Sequence, residues 1–405
     1  MANAAAPTVG VEEEFFLVDA ATGRLAPCAD RVLARVPDGP EFARRSGRPL
    51  PEFKFELLTT QLETASSICG SLAEVAEDLL LARRMLADAA AEEGSRLVAT
   101  ATPWLRSRPS PLAPGDRYRR IAETYARTAG DYECNGCHVH VAVGERERAV
   151  AVLNHLRPWL PTLLALSSNS PFRCGTDTGY GSWRAIEQTR FPAAGMPPYA
   201  ASAEAYDAWI DRLVACGARI DERHSMWLAR VSNRFPTVEL RASDSALTVE
   251  DAVLQAALAR GLVVTALRDL ERGREAVPFD PQVGNTAVWS AARHGVRGWA
   301  VDVYAQRQIP ARRLLDALVR HTSDALEDAG DLAAVQRMLG AVVSEGTGAE
   351  RQRAAAGGGG TVDPVQGHRR LTDFLVHRTL SPPVRVTGGG SAAPHAGPVR
   401  RTGGS

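Results

Sequence analysis

No stretch of about 18 uncharged apolar residues occurs in this chain, so a transmembrane helix is not expected. There is no excess of charge either: Lys plus Arg number 47, and so do Asp plus Glu. Proteins that work on nucleic acid or membrane surfaces usually carry a basic excess, so neither partner is expected. Cysteine is scarce, with six residues (Cys28, Cys69, Cys134, Cys137, Cys174 and Cys216) in 405, too few for a disulfide framework. Met1 to Gly10 carries neither a basic nor an apolar targeting segment, so free thiols in a reducing cytoplasm are the expectation. No internal repeat is found.

What is present is ordinary for a globular protein, with 45% hydrophobic and 23% charged residues. Strand character is read at Thr8–Asp19, Phe53–Leu57, Leu97–Ala101, His138–Val143 and Val238–Leu240. Ser71 and Glu74 form a capping-box pattern ahead of an apolar-periodic helix through Leu79, Leu80, Met85 and Leu86. A helix is read over Leu153–Leu166, and Thr248 caps a long one running to Arg272 with Asp251 in its first turn; further helices follow to about Val343. Pro103–Gly115 reads as a Pro-rich loop, and Ser167–Pro198 as a long irregular segment of the kind that carries function. The mixture predicts an α+β fold. One domain over residues 1–381 is expected, with a flexible break at Gly357–Gly360 and a disordered Gly/Pro/Arg-rich tail over 382–405.

Function is written in the parity of the strands, where residues i and i+2 share a face. Glu12 and Glu14 point together, with Val11, Glu13 and Phe15 on the other face. Lys54 and Glu56 oppose Phe53, Phe55 and Leu57, and Glu63 follows seven residues after Glu56. His138 and His140 oppose Val139, Val141 and Val143, while Thr237, Glu239 and Arg241 oppose Val238 and Leu240. Any one of these strands is explained by the solvated face of an antiparallel sheet. Four together are not, because a solvent face mixes Lys, Ser, Thr and Gln, whereas acids and His recur here. Clustered carboxylates repel unless cations sit among them, and oxygen-rich clusters suit magnesium. An Arg beside them, Arg241, suits charge on a transferring phosphoryl group.

Several segments resemble those of the carboxylate–amine ligases of the type 2 glutamate–cysteine ligase group, relatives of glutamine synthetase. They are Gly10–Glu14 (Gly-Val-Glu-Glu-Glu), Phe55–Glu63 (Phe-Glu-Leu-Leu-Thr-Thr-Gln-Leu-Glu), Gly136–Val141, Leu166–Phe172, Asp177–Arg184 and Pro236–Arg241, in the family's order. The resemblance implies a glutamine synthetase-like curved antiparallel sheet flanked by helices that holds ATP and magnesium (Mg2+). Glu12, Glu14, Glu56, Glu63, His138 and Glu239 would be metal ligands, Arg241 would contact the transferred phosphate, and Arg184 would clamp the substrate carboxylate. The partners would be a small-molecule acid and amine, glutamate and cysteine first, in a cytoplasmic enzyme whose homodimerisation is left open. Two positions depart from the family: Ala287 stands where Asn is usual before the Trp289–Gly295 segment, and Leu228 where Asp is usual ahead of Arg230. Neither touches the implied ligands; both bear on substrate identity.

Other motifs carry less. Cys134-Asn-Gly-Cys137-His138 spells a haem attachment sequence, but such attachment follows export. The Cys pair has no second Cys/His pair for zinc, and Gly179-Tyr180-Gly181 lacks the frame of a dinucleotide site. Two other readings stay open: the same chemistry on another acid–amine pair in specialised metabolism, or a non-catalytic nucleotide- or metal-binding relative.

Overall fold

Alternating valine and acid gives the first strand one face that must be buried and one that must be neutralised, and the sheet is built on that division. The computed structural model describes residues 6–37, 49–105, 109–357 and 364–383. The break expected at Gly357–Gly360 and the tail from 382 lie outside these residues, apart from Gly357, Pro382 and Pro383. The main sheet is antiparallel and contains β1 (Val9–Asp19), β2 (Glu52–Phe55), β3 (Gln61–Ala65), β4 (Ser95–Val98) and β5 (Gly136–Ala142). After a two-residue hairpin, β6 (Phe172–Arg173) and β7 (Thr176–Asp177), it continues with β8 (Ala229–Val231) and β9 (Thr237–Asp244). Strand order is β2-β3-β1-β5-β9-β8, with β4 pairing the far end of β1. A hairpin of β10 (Trp299–Asp302) and β11 (Arg307–Pro310) stands apart.

Val9, Val11, Val139, Val141, Val238 and Leu240 bury one face of this sheet against helices Leu72–Glu92, Arg146–Leu156, Leu160–Ser167 and Val249–Glu271. The last of these starts in a full capping box, Thr248 and Asp251 each accepting from the other's backbone N–H at 3.2 and 3.1 Å. At Ser71 only half of the box forms: Ser71 Oγ accepts from Glu74 N, but the Glu74 carboxylate turns to Gly70 N. The helix expected over Leu153–Leu166 is divided by a 3-10 turn at Arg157–Trp159. Pro158 and Pro161 cannot donate to the i→i−4 ladder, which accounts for the break. The irregular segment Ser167–Pro198 contains a helix, Trp183–Gln188, capped by Ser182. Helices continue beyond Val343, with Gly348–Ala356 and Pro364–Thr379. Among the described residues no helix is long and apolar enough to cross a membrane.

On the valine face one charged residue is buried with the apolar ones. Glu13 is fully buried and meets Arg83 of helix Leu72–Glu92, equally buried, at 3.0 and 2.5 Å. Arg83 also donates to the carbonyls of Ala246 and Thr379, at 2.8 and 3.0 Å.

Candidate active site

Register converts the four polar strand faces into one row. Across β2, β3 and β1, Lys54 lies opposite Glu63, and Glu63 opposite Glu14. Across β1, β5, β9 and β8, Glu12 lies opposite His138, His140 opposite Glu239, and Glu239 opposite Arg230. β9 carries an extra residue opposite the Cys137–Val139 step, a bulge of the kind that re-aims a side chain. Arg241, beside it, pairs with Glu239 and comes within 3.4 Å of His138 Nδ1. Glu56 sits one residue past the end of β2 rather than in it, and Glu63 lies on a strand that residue alternation does not reveal. All of these line one cleft of about 460 Å³.

Two donor groups stand side by side on its floor, one of Glu12, His140 and Glu239, the other of Glu14, Glu56 and Glu63. Within each, one ligand atom per residue lies within 4.8 Å of the others. His138 stands between them, 3.3 Å from Glu12, 3.7 Å from Glu14 and 3.9 Å from Glu239. The sequence-derived ligand set omits His140, yet its Nε2 is buried without a hydrogen-bond partner and faces Glu12 and Glu239 at 3.5 and 3.8 Å. Its parity with His138 is the signal that finds it.

The groups differ electrically. Burial pushes the Glu12 carboxyl up, but the neighbouring imidazoles of His138 and His140 hold it well below its usual range. Burial likewise opposes ionisation of Glu239, and Arg241 and Arg230 reverse it. In the other group burial wins. Glu14 is raised although Arg184 opposes this; burial and the Glu14 charge push Glu56 to about 7; burial and acidic neighbours hold Glu63 well above its usual range. Oxygen donors short of positive charge fit a hard divalent cation such as magnesium, and the orphaned His140 nitrogen fits one beside Glu12 and Glu239.

That imbalance has a measurable sign. Folded, Glu56 keeps its proton up to about pH 7; unfolded, it loses it near 4.5. Between those values the folded state binds more protons, so this group lowers stability as pH rises, and the cost is constant above the window. Glu56→Gln, which mimics the protonated acid, is expected to stabilise the cation-free protein by roughly 1–3 kcal/mol at about pH 8 and by nothing near the unfolded value. Burial pushes His138 and His224 down to about 4, and they act in the opposite sense across much of this range. The variant-minus-parent difference in urea denaturation with chelator is therefore the measurement. An equal gain at both pH values would mean that Glu56 ionises as freely folded as unfolded.

Arg184 is not brought to the cleft. Ser182 caps the helix that carries it and turns the guanidinium inward, 2% exposed, against Arg241 O and Asp244. It passes under Gly136, where a Cβ would come within 2.5 Å of Nη2. Arg184, expected as a substrate clamp, here lies beneath the floor, where its charge favours ionised Glu14. Leu228 and Ala287 are core residues that do not line the cleft. Cys134 and Cys137 are buried and His138 belongs to the carboxylate row, an arrangement that does not fit attached haem.

Comparison with known proteins gives a consistent picture. A family model described as glutamate–cysteine ligase family 2 matches residues 8–369. A protein of Saccharopolyspora erythraea, provisionally named glutamate–cysteine ligase 2-2, is 50% identical over 358 residues, covering 88% of this chain and 90% of its own. One of Rhodopirellula baltica, provisionally named glutamate–cysteine ligase 2, is 39% identical over 351 residues, covering 86% and 92%. Among solved structures, a glutamate–cysteine ligase of Francisella tularensis in complex with AMP superposes with a TM-score of 0.66 at 13% identity, covering 95% of this chain and 91% of that one. The ligase PafA, solved with the prokaryotic ubiquitin-like protein Pup, gives 0.52 at 12% identity, over 93% and 73%. At such identities the likeness is one of fold, that of the glutamine synthetase-like ligases.

Proposed function

This chain belongs to glutamate–cysteine ligase family 2 and is an enzyme of the ligase class; from that premise we propose that it joins a carboxylic acid to an amine at the expense of ATP, with glutamate and cysteine as the leading pair. The observation that supports this best is the pair of adjoining donor groups on one cleft floor, with Arg241 beside them. Magnesium held by Glu12, His138, His140 and Glu239 on one side, and by Glu14, Glu56 and Glu63 on the other, would supply neutralising charge to phosphate oxygens.

The substrate carboxylate attacks the γ-phosphorus of ATP, ADP leaves, and an acyl phosphate forms; the amine then attacks the acyl carbon and phosphate leaves with the bridging oxygen. Arg241, kept protonated by Glu239 although burial opposes it, neutralises charge on the transferred group. Part of the lining is aromatic: Tyr132, Phe191 and His224 line the cleft, Phe191 meeting Tyr132 edge-on at 5.0 Å, with Tyr125 packed against Phe191 and His224. Such a lining favours, as a second reading, an amine with an apolar side chain in place of cysteine.

The expected products are ADP and phosphate, with oxygen from a labelled substrate carboxylate recovered in the phosphate. Product chromatography and isotope analysis, run on glutamate and cysteine and then on other acid–amine pairs, make the test. AMP as the main nucleotide, or unlabelled phosphate, would rule out the acyl-phosphate route even if an amide formed.

A further inference from the structure

The two donor groups are not neutralised alike. Glu239 is paired with Arg230 at 2.6 Å and with Arg241, and both guanidiniums are largely enclosed. The group of Glu14, Glu56 and Glu63 has, among the described residues, one ion pair to a Lys or Arg: Lys54 Nζ to Glu63 Oε1 at 2.8 Å. Three features make this contact part of the architecture. Lys54 and Glu63 are directly opposed in the β2–β3 ladder, so register alone brings them together. Phe53 and Phe55, on either side of Lys54, pack against the core cluster around Phe15 and Leu62, which fixes the lysine on the cleft side. The lysine is also 41% exposed, so its ammonium can leave Glu63 for solvent without crossing the core.

We propose that Lys54 is a tethered counter-cation: its ammonium holds Glu63 while the Glu14–Glu56–Glu63 group has no divalent cation, and leaves it when one binds. It therefore acts as a positioning residue that sets the cation affinity of this half of the site. Lysine suits the role because its charge is a compact point on a flexible stem, whereas arginine would grip the carboxylate through two parallel hydrogen bonds and release it less readily. The exchange also keeps three adjacent carboxylates from repelling one another in the empty cleft, and it opposes occupation by weakly held monovalent ions.

The inference rests on the reading that these carboxylates take a divalent cation, so the test is run without nucleotide, acid or amine. Manganese(II) binding, followed by its electron paramagnetic resonance signal, is measured for the unsubstituted protein, Lys54→Met and Lys54→Arg, with Glu63→Gln marking the sites that belong to this group. Lys54→Met is expected to tighten binding at the sites lost in Glu63→Gln by about tenfold, because a unit charge a few ångströms from the ion is removed. It is expected to leave the remaining sites unchanged. Lys54→Arg should bind no tighter than the parent. In chelator, Lys54→Met should unfold at a lower temperature than the parent, and manganese should raise its unfolding temperature by more.

Weaker or unaltered binding in Lys54→Met overturns the proposal while leaving the cation site standing. Manganese uptake that Glu63→Gln does not reduce, or no uptake by the unsubstituted protein, removes the site itself and the proposal with it.

Discussion

Glu12→Gln is expected to lower the rate of ligation by about a thousandfold or more, since several kcal/mol of charge stabilisation at the transition state are lost with one carboxylate ligand. The protein should stay folded. Glu12 touches His138 at 3.3 Å and His140 at 3.5 Å, and an amide can still hydrogen-bond to imidazole nitrogens. Glu239→Gln is expected to abolish turnover too, but for a mixed reason. Glu239 is fully buried and is the carboxylate that Arg230 and Arg241 share. Its loss leaves two enclosed guanidiniums without the carboxylate they share, at a cost of about 3–5 kcal/mol. Steady-state phosphate release and urea denaturation on both variants separate the two effects. Full activity in Glu12→Gln would sink the ligand assignment.

The second large effect is on stability and lies behind the cleft. Arg83→Met, or Glu13→Leu, is expected to cost about 3–5 kcal/mol, because each leaves the other partner buried without its counter-charge. That is a large share of the roughly 5–15 kcal/mol that holds a domain together. The double variant Glu13→Leu/Arg83→Met should recover part of the loss and not all of it. The Ala246 and Thr379 carbonyls, which accept from Arg83, remain without that donor. A double-mutant cycle in urea measures the coupling, and strict additivity of the two single losses would mean that the pair does not interact.

The sequence carried most of this architecture where one face of an element is greasy and the other is not. β1, β5 and β9 are legible for that reason, and with them Glu12, Glu14, His138 and Glu239. β3 is not, because Gln61, Leu62, Glu63 and Thr64 are all buried and no alternation survives. Glu56 keeps its place in the site although the strand ends before it, since the ladder stops where the chain turns. Arg83 lies four residues after Leu79 on the stripe that Leu79 and Leu86 bury. A charge in an apolar stripe is the trace such an anchor leaves, but its partner on β1 belongs to tertiary structure. Arg184 shows the converse: its motif was recognisable, yet the direction of its side chain depends on a cap at Ser182 and on Asp244, far along the chain.

The Arg83 anchor also bears on how the molecule is made. Its hydrogen bond to Thr379 spans 296 residues of sequence, and Thr379 Oγ1 also accepts from Ala99 N, 280 residues away. At about 5–20 residues per second, a ribosome takes roughly 15–60 s to cover that span. For that interval the strand bearing Glu12 and Glu14 has been synthesised, but the guanidinium behind it lacks one of its acceptors. Pulse-labelled nascent chains should therefore resist protease around β1 only after the helix ending at Thr379 has cleared the exit tunnel, so the strand that carries Glu12 and Glu14 is made well before the segment that secures it.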